Sequence, residues 1–392
     1  MIKEVRSEYN SRFTNENYEN FVQELNKAAN CKIDFRVCET SLFLSEELTG
    51  KLKNACYDII AQLDTDEYRK YSLNGVPKHL SVPGCDDKPL FLQIDFAIAL
   101  DENGNHIPKL IELQGFPSLY GFQAYYQEIY EKFMWKPDGF TGFYNGLTLD
   151  SYKELLKKTI LNGNSPENVI LLEIDPLSQK TLVDFVVTEQ YTGIKTVCIS
   201  DIIRKGKKLF YMNNGKEILV KRIYNRVIFD ELDRKETKFA FSFQEELEVE
   251  WAGHPDWFYR ISKYSLPFLK GINVPECYFL SDLTEYPSNL DNFVLKPLYS
   301  FAGAGVDVEV TKEKLDSITD RTNYILQQKV DYAPLILTPD GYSKCEIRMM
   351  FIWDEKPLLV NNLSRMSKGK MMGVDFNKNK TWVGSGTAFH KE

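Results

Sequence analysis

Apolar positions recur at two periods along the chain, and the period changes where the architecture should change. Over residues 1–75, FVQELNKAA and LSEELTGKLKNACYDIIAQL carry apolar residues at helical spacing. Residues 121–161 repeat that spacing with many aromatics. NVILLEID (168–175) reads as a buried strand, LSQKTLVDFVVTEQYTG as a helix ended by Gly193, and KTVCIS as the next strand. This β-α-β order predicts a small open α/β domain. LFYMNNGKEILV predicts a hairpin turning at Asn214-Gly215. The acidic stretch DELDRKETKFAFSFQEELEVE is compatible with a helix, and WFYRISKYSLPFLKG predicts another. Strands follow at CYFL, at Phe293-Val294-Leu295, at alternating Val306, Val308 and Val310, and at NYILQQKV. TKEKLDSI predicts a helix, and a last hairpin closes around WDEKP. The pattern predicts a mixed α/β (α+β) chain in three parts: 1–165, 166–250 and 251–392.

The sharpest pattern is FLQIDFAIALDENGNHIPKLIELQG (91–115). Asn103-Gly104 favours a two-residue type I′ turn, which places Asp95 opposite Glu112 and Gln93 opposite Gln114. Because strand side chains alternate, these four share one face. Ile94, Phe96, Ile98, Ile111 and Leu113 share the other. Opposed carboxylates repel. The polar face is therefore either wetted by solvent or held together by a divalent cation on oxygen ligands.

Composition narrows the chemistry. The chain has 392 residues, enough for two or three domains. Its net charge of −8 argues against broad binding to nucleic acid or anionic membrane. No signal-peptide core and no membrane-length apolar run is apparent, and seven scattered cysteines suit reduced thiols, so a cytoplasmic location is expected. With four scattered histidines no clustered histidine metal site is apparent, and His254 in WAGHPDW reads as structural. No P-loop or Rossmann glycine motif is present.

FVLKPLYSFAGAGVDVEV (293–310) sets Lys296 at a strand end before a small-residue loop. Either this is a hairpin with a snorkelling lysine, or the loop amides around Gly303 and Gly305 cradle phosphate above a point charge. KRIYNR offers Arg222 and Arg226 four apart, on one helix or strand face. They are a surface pair or a grip on a substrate carboxylate.

Taken in order, the carboxylate hairpin, the lysine–glycine loop and the Gln-Gln-Lys-Val strand resemble the circularly permuted ATP-grasp superfamily. That branch contains glutathionylspermidine synthetase and eukaryotic-type glutathione synthetase. The resemblance runs from about residue 90 to the C-terminus. It implies an ATP- and Mg²⁺-dependent ligase that joins a small or peptide carboxylate to an amine through an acyl phosphate. It implies metal ligands at Asp95, Glu112 and Gln114. It implies nucleotide contacts at Lys263, Lys296, Ser300, Gly303, Gly305, Gln327, Gln328, Lys329 and Val330. It implies a basic residue facing the substrate at Arg365, with Glu346 beyond the hinge strand. Two positions depart from the pattern. Gln93 stands where glutathionylspermidine-type members carry arginine, and Phe301-Ala302 where they carry an Arg-Glu pair. Arg348 or Arg365 is then expected to supply the missing transition-state cation, failing which the protein binds nucleotide without turnover or acts as a phosphotransferase.

Overall fold

The computed structural model describes residues 1–299, 305–372 and 374–392. Its centre is a six-stranded sheet. Gly384–Gly386, Pro357–Ser367, Gly341–Trp353, Phe91–Leu100 and His106–Gln114 lie side by side in that order, all antiparallel, and Ile336–Thr338 pairs with Gly341–Trp353 off this path. The segments 1–165 and 251–392 thus share one sheet. One face, with Leu92, Ile94, Phe96, Ile98, Ile347 and Met349, packs on Leu48, Leu52 and Ile59 of the helix Glu46–Leu63. On the other, Phe91, Met350 and Ile352 pack against Tyr120 and Ala124 of the helix Tyr120–Phe133 and Tyr152 of the helix Leu149–Leu161. The expected alternation of a dry and a wet face therefore fails: Gln93 and Asp95 are buried.

The hairpin 91–114 reaches its expected register by two departures that cancel. Asp101 caps the turn by accepting from the Asn103 and Asn105 amides, and the Asp101 amide donates to the Asn105 carbonyl across a three-residue loop. Only Gly104 takes a positive φ, 79°, so the type I′ turn does not form. Leu100 then pairs with His106, one residue out of the expected register. A bulge at Ile111 restores it, and Gln93, Ile94 and Asp95 face Gln114, Leu113 and Glu112. Leu110 takes the core place expected of Ile111.

The middle segment carries a parallel four-stranded sheet in the order Glu250–Ala252, Arg222–Asn225, Val169–Glu173, Lys195–Cys198. The helix Leu182–Thr192 ends at Gly193 (φ 81°), as predicted. The hairpin Lys208–Asn213/Lys216–Val220 turns at Asn214 and Gly215, both with positive φ, as a type I′ turn requires. The acidic stretch is helical only over Phe229–Lys235. Beyond it Phe239, Phe241 and Phe243 meet one another edge-on or tilted, and their alternate spacing does not suit a helix. The next predicted helix is a single turn, Trp257–Arg260, followed by a 3-10 segment, Lys263–Phe268, that contains Pro267.

A second, three-stranded antiparallel sheet sets Tyr324–Gln328 between Cys277–Phe279 and Phe293–Pro297. Leu280, Leu295, Leu315 and Leu326 form its core. The strand expected over Val306–Val310 is reduced to one bridge, between Leu295 and Asp307. Among the described residues no helix is long and apolar enough to cross a membrane, and all seven cysteines are free.

Candidate functional site

The two sheets meet at the Ile111 bulge. A bulge leaves one residue outside the ladder, and the Ile111 carbonyl accepts from Lys296 Nζ at 3.4 Å. Lys296 thereby reaches from the small sheet to the large one. Lys263 comes from the first turn of the 3-10 segment, where Ser262 Oγ accepts from the Tyr264 amide. Gly115 sets how close that segment lies: its amide donates to the Ile261 carbonyl at 2.8 Å, and a Cβ there would stand 2.5 Å from the Trp257 carbonyl oxygen. One residue of sequence thus joins Gln114 to the platform of Lys263.

Both lysines act on Glu112. Burial alone would raise the Glu112 pKa, but Lys263, then Arg365, Arg348 and Lys296, hold it down at about 2. Burial lowers both lysines from their ordinary value, and Glu112 opposes that shift in each. Glu112 keeps about a quarter of its side chain exposed, 24%, so it stays open to solvent.

Charges continue across the large sheet in register. Arg348 lies opposite Asp95, and Glu346 opposite Arg365. Arg348 Nε and Nη2 donate to Asp95 Oδ1 and Oδ2, each at 2.6 Å, and Arg365 Nη2 adds a bond of 2.9 Å to Oδ2. Arg365 also pairs with Glu346 at 2.8 Å, and the Tyr332 hydroxyl donates to Glu346. Burial would lower the Arg365 pKa, but Glu346, Asp95 and Glu112 raise it above its ordinary value. Burial leaves Glu346 above the usual carboxylate range. In formal charge, four cations (Lys263, Lys296, Arg348, Arg365) meet three carboxylates (Asp95, Glu112, Glu346), leaving one positive charge for an anion.

The facing carboxylates are as predicted, but chain arginines relieve their repulsion. Mg²⁺ asks for six oxygen donors. Both Asp95 oxygens are taken by guanidinium, and Gln114 turns its Nε2 toward Glu112 Oε1 at 2.8 Å. These donors do not suit the metal implied by the resemblance. Arg348, expected to meet an acid or a developing charge, is committed to Asp95. Arg365 is open enough for that part, with 36% of its side chain exposed. Gln93 donates to the Ser118 carbonyl at 2.6 Å and leaves its Oε1 buried without a partner among the described residues.

In the hinge strand, Gln327 is buried and its Nε2 donates to the Leu110 carbonyl at 3.4 Å. The Gln328 and Lys329 amides donate to the Glu276 and Asn292 carbonyls, so an adenine edge would meet carbonyl oxygens of this run rather than those amides. Val330 lies just past the strand's end. Gly305 has φ 72°, and a Cβ there would meet Pro297 Cγ at 2.8 Å, so the turn back toward the strand of Lys296 needs glycine. Ser300 and Gly303 lie outside the described residues.

Arg222 and Arg226 sit on and just after a strand, and they do not converge. Arg222 donates to the Ile160 carbonyl and pairs with Glu250 at 2.8 Å. It lines a separate cavity of about 910 Å³ beside Glu245, Glu246 and Glu248, which repel a carboxylate. Arg226 is buried over Phe116, and its Nε and Nη1 have no hydrogen-bond partner among the described residues. His254 is structural, as expected: its ring nitrogens bond the Pro83 carbonyl and the Asp256 amide.

No protein-family model matches the sequence, and no curated protein matches it. The fold is similar to that of a solved structure, a glutathione synthetase-like effector from Globodera pallida in its apo form. The TM-score is 0.56 at 11% identity, and the match covers 96% of each chain. The chain thus has a glutathione synthetase-like fold of the α+β class.

Proposed function

We propose that the cleft between the two sheets binds ATP and that the protein is an ATP-dependent carboxylate–amine ligase of the permuted ATP-grasp type. The observation that carries this reading is the convergence of Lys263 and Lys296 on Glu112 from separate elements, in a site of net positive charge. The likeness to a structure named for glutathione synthetase supports it. The lysines would hold the phosphates as point charges. Arg365 would face the acid, whose carboxylate oxygen attacks the γ-phosphorus. The bond from that phosphorus to the ADP oxygen breaks, and ADP leaves with the electron pair. An amine nitrogen then attacks the acyl carbon, phosphate departs, and the nitrogen loses its proton to solvent. Arg226, buried with two unpartnered nitrogens, is the arginine of its pair suited to a substrate carboxylate. Gln327 through Val330 would border the base.

The commitment of Arg348 to Asp95 favours a second reading, a nucleotide-binding protein without ligation. Hydroxylamine separates the two. Protein, ATP and a panel of amino acids, short peptides and dicarboxylates should release ADP and form a hydroxamate with at least one acid. ADP without hydroxamate would indicate a phosphotransferase. ATP binding without turnover would support the second reading.

A further inference from the structure

We infer that Arg348 occupies the place of a divalent cation at Asp95, so that the cleft takes its polyphosphate ligand as the metal-free anion. The polyphosphate part rests on the ATP reading above. The arginine part rests on geometry alone. Asp95 is 1% exposed, and a carboxylate so buried needs positive charge beside it. A guanidinium supplies that charge through a flat pair of donors matched to both oxygens. Arg348 is fixed for this by register, directly across the strand pair from Asp95. Arg365 fills the flank at Oδ2, and Arg348 Nη2 also lies 3.8 Å from Glu112 Oε1. The two facing carboxylates thus share one built-in cation. A divalent ion would have to displace the Arg348–Asp95 fork and approach four side-chain cations. A polyphosphate meets the reverse: lysines at the cleft and a surplus of positive charge.

The test uses the full-length protein. Mn²⁺ titrated into protein alone, followed by the paramagnetic resonance of the free ion, should lose no signal with the wild type. Arg348→Ala should gain a binding site, and Arg348→Ala combined with Asp95→Asn should lose it. Calorimetry of ATP should give an affinity about tenfold or more higher in EDTA than in excess Mg²⁺, which leaves little of the nucleotide as the free anion. Stoichiometric Mn²⁺ uptake by the wild type that Asp95→Asn abolishes would overturn the inference, and so would ATP binding as tight in Mg²⁺ as in EDTA, or tighter. Failure of ATP to bind in either buffer would remove the ATP reading and leave the wild-type Mn²⁺ titration to decide the role of Arg348. That titration also decides it should Arg348→Ala not fold.

Discussion

Arg348 and Asp95 face each other on neighbouring antiparallel strands and are joined by two hydrogen bonds of 2.6 Å. Both are buried, so neither tolerates loss of the other. Arg348→Ala should destabilise the protein by roughly 3–5 kcal/mol, because it strands a buried carboxylate with Arg365 as its remaining partner. Pairing Arg348→Met with Asp95→Asn should recover much of that loss. Urea unfolding of the variants measures both.

Glu173 predicts a pH dependence of opposite sign to that of an ordinary paired carboxylate. Burial pushes its pKa up from 4.5 to about 8, against the nearby Arg226. Between those values the folded state holds a proton that the unfolded state has released. Stability from this group is present below the unfolded value and is lost as pH rises through 8, with a slope of at most about 1.4 kcal/mol per pH unit. Glu173→Gln should flatten the decline and raise the melting temperature at pH 8 more than at pH 5. A parallel shift at both pH values would contradict the assignment.

Gly115→Ala should cost roughly 1–3 kcal/mol, since its Cβ would force the hairpin away from the Trp257 carbonyl. The same shift moves Lys263 relative to Glu112. Any ligand held by Lys263 should therefore bind more weakly in this variant than global stability explains. Thermal melts with and without ATP measure the two effects together.

Sequence pattern reached the site's carboxylates but not the pairing of Arg348 with Asp95. Asp95 and Glu112 were legible because 15 residues of a strand–turn–strand pattern separate the start of one strand from the start of the next, and the register survives an altered turn. Asp101 capping replaced the expected turn and Ile111 bulged to compensate; neither event leaves a periodic mark. Asn214-Gly215 turned as expected, with both residues at positive φ. Arg348 stands 253 residues from Asp95, and its pairing depends on a strand order that periodicity does not carry. The Glu346–Arg348 spacing did suit one strand face, and that was the signal available. Tyr332 left none. The short helices at Phe229–Lys235 and Trp257–Arg260 were overread because aromatic clustering and Pro267 outweigh helix-compatible composition.

Lys296 carries the central claim, that the cleft between the sheets is a phosphate site. It bonds a carbonyl and lies near Glu112 and a second cation, Lys263, and burial lowers its pKa, so its charge is spare for a ligand. The direct measurement is calorimetric titration of ATP into the wild type and into Lys296→Met, with a thermal melt of each. The account predicts saturable binding by the wild type, weakened tenfold or more in the variant, ~1.4 kcal/mol, at an unchanged or higher melting temperature. Equal ATP affinity in the two folded proteins would contradict it.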